Sequence, residues 1–313
     1  MDGSAAPQDL DAGLLALLGE LDARGYDFVT PTPATHRRVL KRRGEARPGD
    51  LRDILGWGRL FDPSDAPAFL VEALAAADLL ERRDGPAKSR VRVSRVNGRL
   101  YLHSAFPTEA QDAVFLGPDS YRFADFILRH IPPAVSQALD VGGGAGVGAL
   151  TVAGAAPAAK VALSDVNPSA LRLARVNAAH AGLTITLQQA SGVMAAHAGL
   201  DLIVANPPYM ADADQTYRDG GDMHGAALSV EWAAAGLAKL RPGGRMLLYS
   251  GSAICEGGRD ELRDALAEVA EQGGGRLTYA ELDPDVFGEE LETPAYGDVE
   301  RIAVVGAVII RER

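Results

Sequence analysis

The sequence predicts an open, doubly wound α/β sheet preceded by a smaller α+β unit. Three observations carry that reading. From Ala113 onward, short apolar runs alternate with helical stretches; a glycine-rich turn follows the first run; and the fourth run breaks into Asn206-Pro207-Pro208-Tyr209. Strand one and its turn run from Ala138 through Asp140 to Gly142, Gly144 and Gly146. Strand two is Lys160 to Asp165, strand three Ile185 to Gln189 and strand four Leu200 to Ala205. Pro242-Gly243-Gly244 introduces strand five, Arg245 to Ser250. Two closing strands, Arg276 to Leu282 and Arg301 to Ile310, are joined by the long loop Asp283 to Glu300.

The first 112 residues have a different character. Leu10 to Ala23 carries leucines at helical spacing and stops at Arg24-Gly25. Thr30-Pro-Thr-Pro is a turn. Thr35 is positioned to cap a basic helix ending at Arg43-Gly44, Asp50 to cap Leu51 to Leu55, and Pro67 to Leu80 reads as a helix closed by Asp84-Gly85. Arg90 to Val96 alternates with period two, Asn97-Gly98 is a hairpin turn, and Arg99 to His103 returns. Helices followed by a hairpin suggest a winged-helix-like unit over 1–112, serving substrate recognition, ahead of a catalytic unit over 113–313. Trp57 reads as core.

Composition bounds the function. The 313 residues are 47% hydrophobic and 23% charged, as in an ordinary globular protein. A lone cysteine, Cys255, rules out an internal disulfide and a cysteine-rich metal centre, and no metal is expected. The N-terminus, Met1 to Gln8, has no leader character and no window nears the apolar length of a membrane span, so the expectation is a cytoplasmic protein without membrane contact. The net charge of −11 is unevenly spread. Residues 30–100 hold 15 basic and 9 acidic side chains, whereas residues 116–313 hold 15 basic and 25 acidic ones. The basic clusters are Arg37, Arg38, Lys41, Arg42 and Arg43, then Arg82, Arg83, Lys88, Arg90, Arg92, Arg95 and Arg99. They read either as a solvated face or as a surface for an acidic partner, with nucleic acid among the candidates.

The chemistry is concentrated after strand four. Neither proline donates an N–H, each fixes its own φ, and Pro208 pushes Pro207 towards extended backbone, so Asn206 and Tyr209 are held in a preset geometry. The Asn206 side-chain oxygen and the Pro207 carbonyl can accept the two hydrogens of a planar NH2 group while the Tyr209 ring lies against its face. The glycines at 142, 144 and 146 let a ligand approach the backbone, and Gly144-x-Gly146-x-x-Ala149 also satisfies the dinucleotide fingerprint.

Asn206-Pro207-Pro208-Tyr209 resembles the signature of the S-adenosylmethionine (SAM) dependent N-methyltransferases, among them the release-factor glutamine methyltransferases and several base methylases. The resemblance covers about 200 residues, and it implies a seven-stranded class I (Rossmann-like) sheet with SAM as cofactor and S-adenosylhomocysteine as product. By the same resemblance Asp140 contacts the methionine amine directly or through water, Asp165 the ribose hydroxyls, and Val166 lies beside the adenine; Asp165-Val-Asn167-Pro-Ser-Ala matches the family's Asp-x-Asn-Pro-x-Ala. Asn167 is either a cofactor contact or a helix cap. Ser191-Gly192 stands where the family commonly has an acid for the adenine amine. Asp119-Ser120-Tyr121 resembles an element that covers SAM, with Asp119 and Tyr121 as contacts, although Asp119 and Ser120 equally suit a cap for a helix from Tyr121 to His130.

The loop Met210 to Gly225, with Tyr217, Arg218 and His224, is placed to close over substrate, and His224 is a weak candidate for a base. The acidic run Asp283 to Glu292 either lines the entrance or is solvated. Protein glutamine is the favoured methyl acceptor; the alternatives are a nucleic-acid base and a small molecule. The N-terminal unit does not resemble the five-helix domain expected of a release-factor enzyme.

Overall fold

The computed structural model describes residues 11–44, 48–82, 85–108, 110–193, 197–212 and 218–313. The readings that fall on 1–10, on Arg83 and Asp84, and on Tyr217 lie outside the described residues. Four helices open the chain: α1 (Ala12–Ala23), α2 (Pro33–Arg43), α3 (Leu51–Leu55) and α4 (Ala68–Ala76). In α1, Leu14, Leu17, Leu18 and Leu21 fall on one stripe and all are buried. Thr32, not Thr35, caps α2: its hydroxyl accepts from the Thr35 N–H, and Pro33 takes the first turn, where a missing N–H costs nothing. Asp50 caps α3 as read.

Helix α4 ends four residues before the expected Leu80. Asp78 takes φ +58°, and the chain turns into β1 (Leu80–Arg82), which pairs antiparallel with β2 (Ala87–Ser89). Helical alanine and leucine spacing had hidden that strand. The hairpin β3 (Val91–Val96) and β4 (Arg99–Ser104) closes on Asn97-Gly98, both at positive φ.

The remaining elements are α5 (Pro118–His130), β5 (Gln137–Val141), α6 (Val147–Ala155), β6 (Lys160–Asp165), α7 (Pro168–His180), β7 (Thr186–Gln189), β8 (Leu200–Ala205), α8 (Ala227–Lys239), β9 (Leu240–Cys255), β10 (Arg259–Asp260), α9 (Glu261–Gln272), β11 (Gly275–Asp283) and β12 (Val299–Arg311). The sheet order is β11-β12-β9-β8-β5-β6-β7. Strands β7, β6, β5, β8 and β9 run parallel, and β12 and β11 close the edge antiparallel. This is the class I methyltransferase sheet, with two departures from expectation: the two-residue β10 adds an eighth strand beside β9, and β9 continues to Cys255 because β12 pairs with it as far as Val299.

The core is continuous across residue 112. Leu14, Leu18 and Leu70 from the first helices share one buried cluster with Ala145, Leu150, Leu173 and Val176 of the α/β unit. Asn177 on α7 fastens the two parts. Fully buried, it accepts from the Leu102 N–H at 2.8 Å and donates to the Leu102 carbonyl at 3.1 Å and the Ala145 carbonyl at 2.9 Å, so one side chain ties β4 to the glycine turn. Arg172 adds a link to Asp11 and to the Ala77 carbonyl at 2.9 Å. Asn177→Ala would strand three buried backbone groups and is expected to cost about 2–5 kcal/mol. Urea unfolding checks this through a lower midpoint at unchanged slope.

Candidate active site

Parallel pairing puts the two sequence motifs side by side. Val141 pairs with Ala205 and with Ser164, so the next residues, Gly142, Asn206 and Asp165, emerge together at the carboxyl edge of the sheet. The chain order reverses between β5 and β8, the position where open α/β sheets bind ligands. Gly142 (φ +61°) turns the chain at β5, and a Cβ there would come within 2.6 Å of the Trp232 ring. Gly192 faces the same indole, at 3.2 Å from Nε1 for an added Cβ. Trp232, 8% exposed on α8, is thus the floor beneath both loops. It went unread in the sequence, where a tryptophan in an alanine-rich helix carries no motif.

Asp140 sits behind the glycine turn, 1% exposed, accepting from the Ala149 N–H at 2.7 Å, with Gly143 and Gly148 packed against its carboxylate. It therefore braces the turn from within. Burial pushes its pKa up to about 7, with a further push from the Asp165 charge, against the Ala149 hydrogen bond. Asp165 accepts from the Gly144 N–H and the Asn167 N–H, both at 2.9 Å, and burial raises its pKa. Half-buried at the end of β6, it keeps lone pairs for a diol, and Val166 beside it is 61% exposed, an apolar plate for a purine. Asn167 is a cap: its oxygen accepts from the Ser169 N–H, and its amide donates to the Asp112 carbonyl. Ser191 is exposed next to Gly192.

The Asp-Ser-Tyr element is divided. Helix α5 starts at Pro118, ahead of the expected Tyr121, with the Gly117 N–H donating to the Ser120 hydroxyl. Asp119 is buried and accepts from the Tyr249 hydroxyl at 2.8 Å and from Arg122, which reaches Asp283 at 2.9 Å. The Tyr121 hydroxyl accepts from the Thr30 N–H at 3.0 Å, which ties α5 to the loop between α1 and α2.

Tyr209 has a built seat. A Cβ at Gly251 would overlap its ring, Phe287 meets it edge-on with centroids 6.1 Å apart, and burial together with the Asp119 carboxylate and Tyr249 holds its hydroxyl well above the usual phenol range. Pro207 is buried, and the Asn206 Oδ1 is buried with no hydrogen-bond partner among the described residues. The loop beyond folds back: Gly220 N–H donates to the Met210 carbonyl, Gly225 packs on the Tyr209 carbonyl, and Tyr296 accepts from the Ala211 N–H at 2.8 Å. His224 contacts Asp298 at 3.0 Å through Nε2 and lies 3.8 Å from Glu261 through Nδ1, so both ring nitrogens face carboxylates. In the acidic run, Glu290 pairs with Arg218 at 2.8 Å and Asp283 with Arg122, so those carboxylates lock loops together.

Residues 111–252 match the methyltransferase small domain family. A release factor glutamine methyltransferase of Deinococcus radiodurans is 34% identical over 288 residues, covering 88% of this chain and 95% of that protein. The chain belongs to the release factor glutamine methyltransferases. The corresponding protein of Cereibacter sphaeroides is 29% identical over 261 residues, 77% of this chain and 88% of its own. This family member is a SAM-dependent methyltransferase. An alignment covering 88% of this chain extends beyond 113–313 into the N-terminal unit, so part of that unit is shared with the Deinococcus relative. A solved chain from Pyrococcus horikoshii, 12% identical with a TM-score of 0.51 over 90% of this chain and all of that one, shows the fold alone. No helix among the described residues is long and apolar enough to cross a membrane.

Gly251→Ala is expected to lower kcat about 10- to 100-fold by tilting Tyr209, with SAM affinity within about twofold, read by steady-state kinetics and calorimetry. Asp140 supplies a pH test. Its folded pKa lies above the unfolded value of 3.8, so the native state holds the extra proton; the stability it contributes is complete below pH 4 and is lost as pH rises through about 7. The fall is at most about 1.4 kcal/mol per pH unit. Asp140→Asn should flatten that part of the stability profile.

Proposed function

We propose that this methyltransferase transfers the SAM methyl group to the side-chain amide nitrogen of a glutamine in a protein substrate, in the cytoplasm. The observation that carries the reading is the buried, unpartnered Asn206 Oδ1 on an edge that two prolines keep rigid. An orphaned buried acceptor is costly, and an incoming N–H is what relieves it. The Pro207 carbonyl, likewise without a partner among the described residues, would take the second hydrogen, and the Tyr209 ring would cover the amide plane. The names of the Deinococcus and Cereibacter relatives agree with a glutamine acceptor.

The residues present fit the cofactor: a turn with no Cβ at 142, 144 and 146, a half-buried Asp165 for the ribose, an exposed Val166 and the Ser191-Gly192 backbone for the adenine. When bound, SAM supplies an electrophilic methyl on a sulfonium. Asn206 and Pro207 act on the other reactant. An amide nitrogen is a weak nucleophile because its lone pair is delocalised; two acceptors on its hydrogens raise electron density at nitrogen and fix its orientation, so stabilisation grows as the N–H bonds become more acidic along the reaction. Asp119, through Tyr249 and Tyr209, positions the ring that closes the amide site. Within this reading, residues 113–313 perform the transfer and residues 1–112 recognise the substrate.

Asn206→Ala is expected to lower turnover by about 100-fold or more while SAM affinity changes little. The substrate class is tested by incubating the chain and methyl-labelled SAM with extract from a strain lacking it, then digesting with protease or nuclease. Label released by protease, and mapped to glutamine by mass spectrometry, is the expected result; label released only by nuclease would overturn it.

A further inference from the structure

The structure sorts the basic residues of 30–100 into two sets that the sequence could not separate. In the second cluster Arg92 and Arg95 of the hairpin and Lys88 of β2 are engaged within the fold, while Arg82 and Arg90 stay exposed. Arg92 is 4% exposed and donates to the Ser104 carbonyl, Arg95 bonds Asp22 at 2.8 Å and the Tyr26 carbonyl at 2.7 Å, and Lys88 bonds the Phe106 carbonyl at 2.7 Å. A hairpin whose cations point inward is a poor wing for a polyanion.

Helix α2 is the opposite case. Its eleven residues include five cations and no carboxylate, and His36 is its one buried residue. Arg43 is engaged by Asp53 and lies over the Trp57 ring. Arg37, Arg38, Lys41 and Arg42 are exposed and make no ion pair or hydrogen bond among the described residues. Positions 37 and 41, and 38 and 42, are like-charge neighbours one turn apart, which weakens an isolated helix. A helix that buries one side chain and carries uncompensated repulsion contributes little to the core, so its surface needs another explanation. Val39 and Leu40 are half-buried, leaving no exposed apolar anchor of the kind a protein interface centres on.

We propose that the face of α2 formed by Arg37, Arg38, Lys41 and Arg42 docks on the phosphate backbone of double-helical RNA. The four cations span about 7.5 Å of helix axis. A-form RNA brings phosphates of both strands together across its narrow major groove, so a short cluster meets several at once, whereas phosphates across the wide groove of B-DNA are farther apart. The deep, narrow major groove of A-form RNA keeps base edges out of reach of these side chains, so docking is by backbone and shape. Residues 116–313, with 25 acidic and 15 basic side chains, repel the same polyanion, and contact is therefore confined to the α2 side.

The experiment titrates the full chain into a fluorescein-labelled RNA hairpin of about 20 base pairs, reading anisotropy across a salt series. Because no turnover is read, it stands or falls separately from the glutamine reading. Four phosphate contacts predict a slope of log K on log salt of about −3 to −4. R38E/R42E should weaken binding at least tenfold and flatten the slope, whereas R129E/R263E, with the same charge change on exposed positions elsewhere, should cost less than twofold. If circular dichroism shows that R38E/R42E is unfolded, R38Q/R42Q replaces it, with a smaller loss expected. Equal loss in the control, equal affinity for a DNA duplex of the same sequence, or capture of polyglutamate in preference to RNA would each overturn the proposal.

Discussion

The register of β5 against β8 is the constraint on which the rest depends. Because Val141 faces Ala205, the glycine turn and Asn206 leave the sheet at the same height on adjacent strands. Each motif alone is ordinary: a glycine turn serves many nucleosides, and a proline-rich strand end serves many purposes. Their adjacency confines one ligand's reactive group to the reach of the other. A shift of one residue would also exchange the side chains that fill the two layers, Leu139 and Ile203 on one face and Ala138, Leu202 and Val204 on the other, so packing on both faces holds the same alignment.

Around that edge the protein works mostly by removing freedom. Asp140 spends its carboxylate on the glycine turn, Asn167 on the start of α7, and Asn177 on joining β4 to the turn. Trp232 supports two loops at once. Polar residues near the site are thus mainly architectural, and among the described residues the buried side-chain oxygens left without a partner are those of Asn206, at the end of β8, and Gln188, within β7.

Most of the α/β unit was legible because buried parallel strands read as short apolar runs and their turns demand glycine or proline. What was illegible depended on partners distant in sequence. Gly251-Ser252-Ala253 has no strand pattern, yet it is strand because β12 pairs with it. Leu80 to Arg82 continued a helical spacing, yet it pairs with Ala87 to Ser89. The bond of the Tyr121 hydroxyl to the Thr30 N–H, 91 residues away in sequence, had no local signal either. Asp140 was correctly located at the end of strand one, but local sequence gave no sign that it faces inward.

The seat of Tyr209 has a temporal consequence. Its supports come from α5 (Asp119), β9 (Gly251) and the loop after β11 (Phe287), and β9 is itself held by β12, which ends at Arg311. During synthesis the cofactor turn and its α7 brace emerge before β8, while the acceptor edge cannot be assembled until β12 has left the ribosome. The order of the chain therefore separates the two halves of the site in time: a partly made enzyme could gather its methyl donor but would have nothing rigid on which to hold an amide.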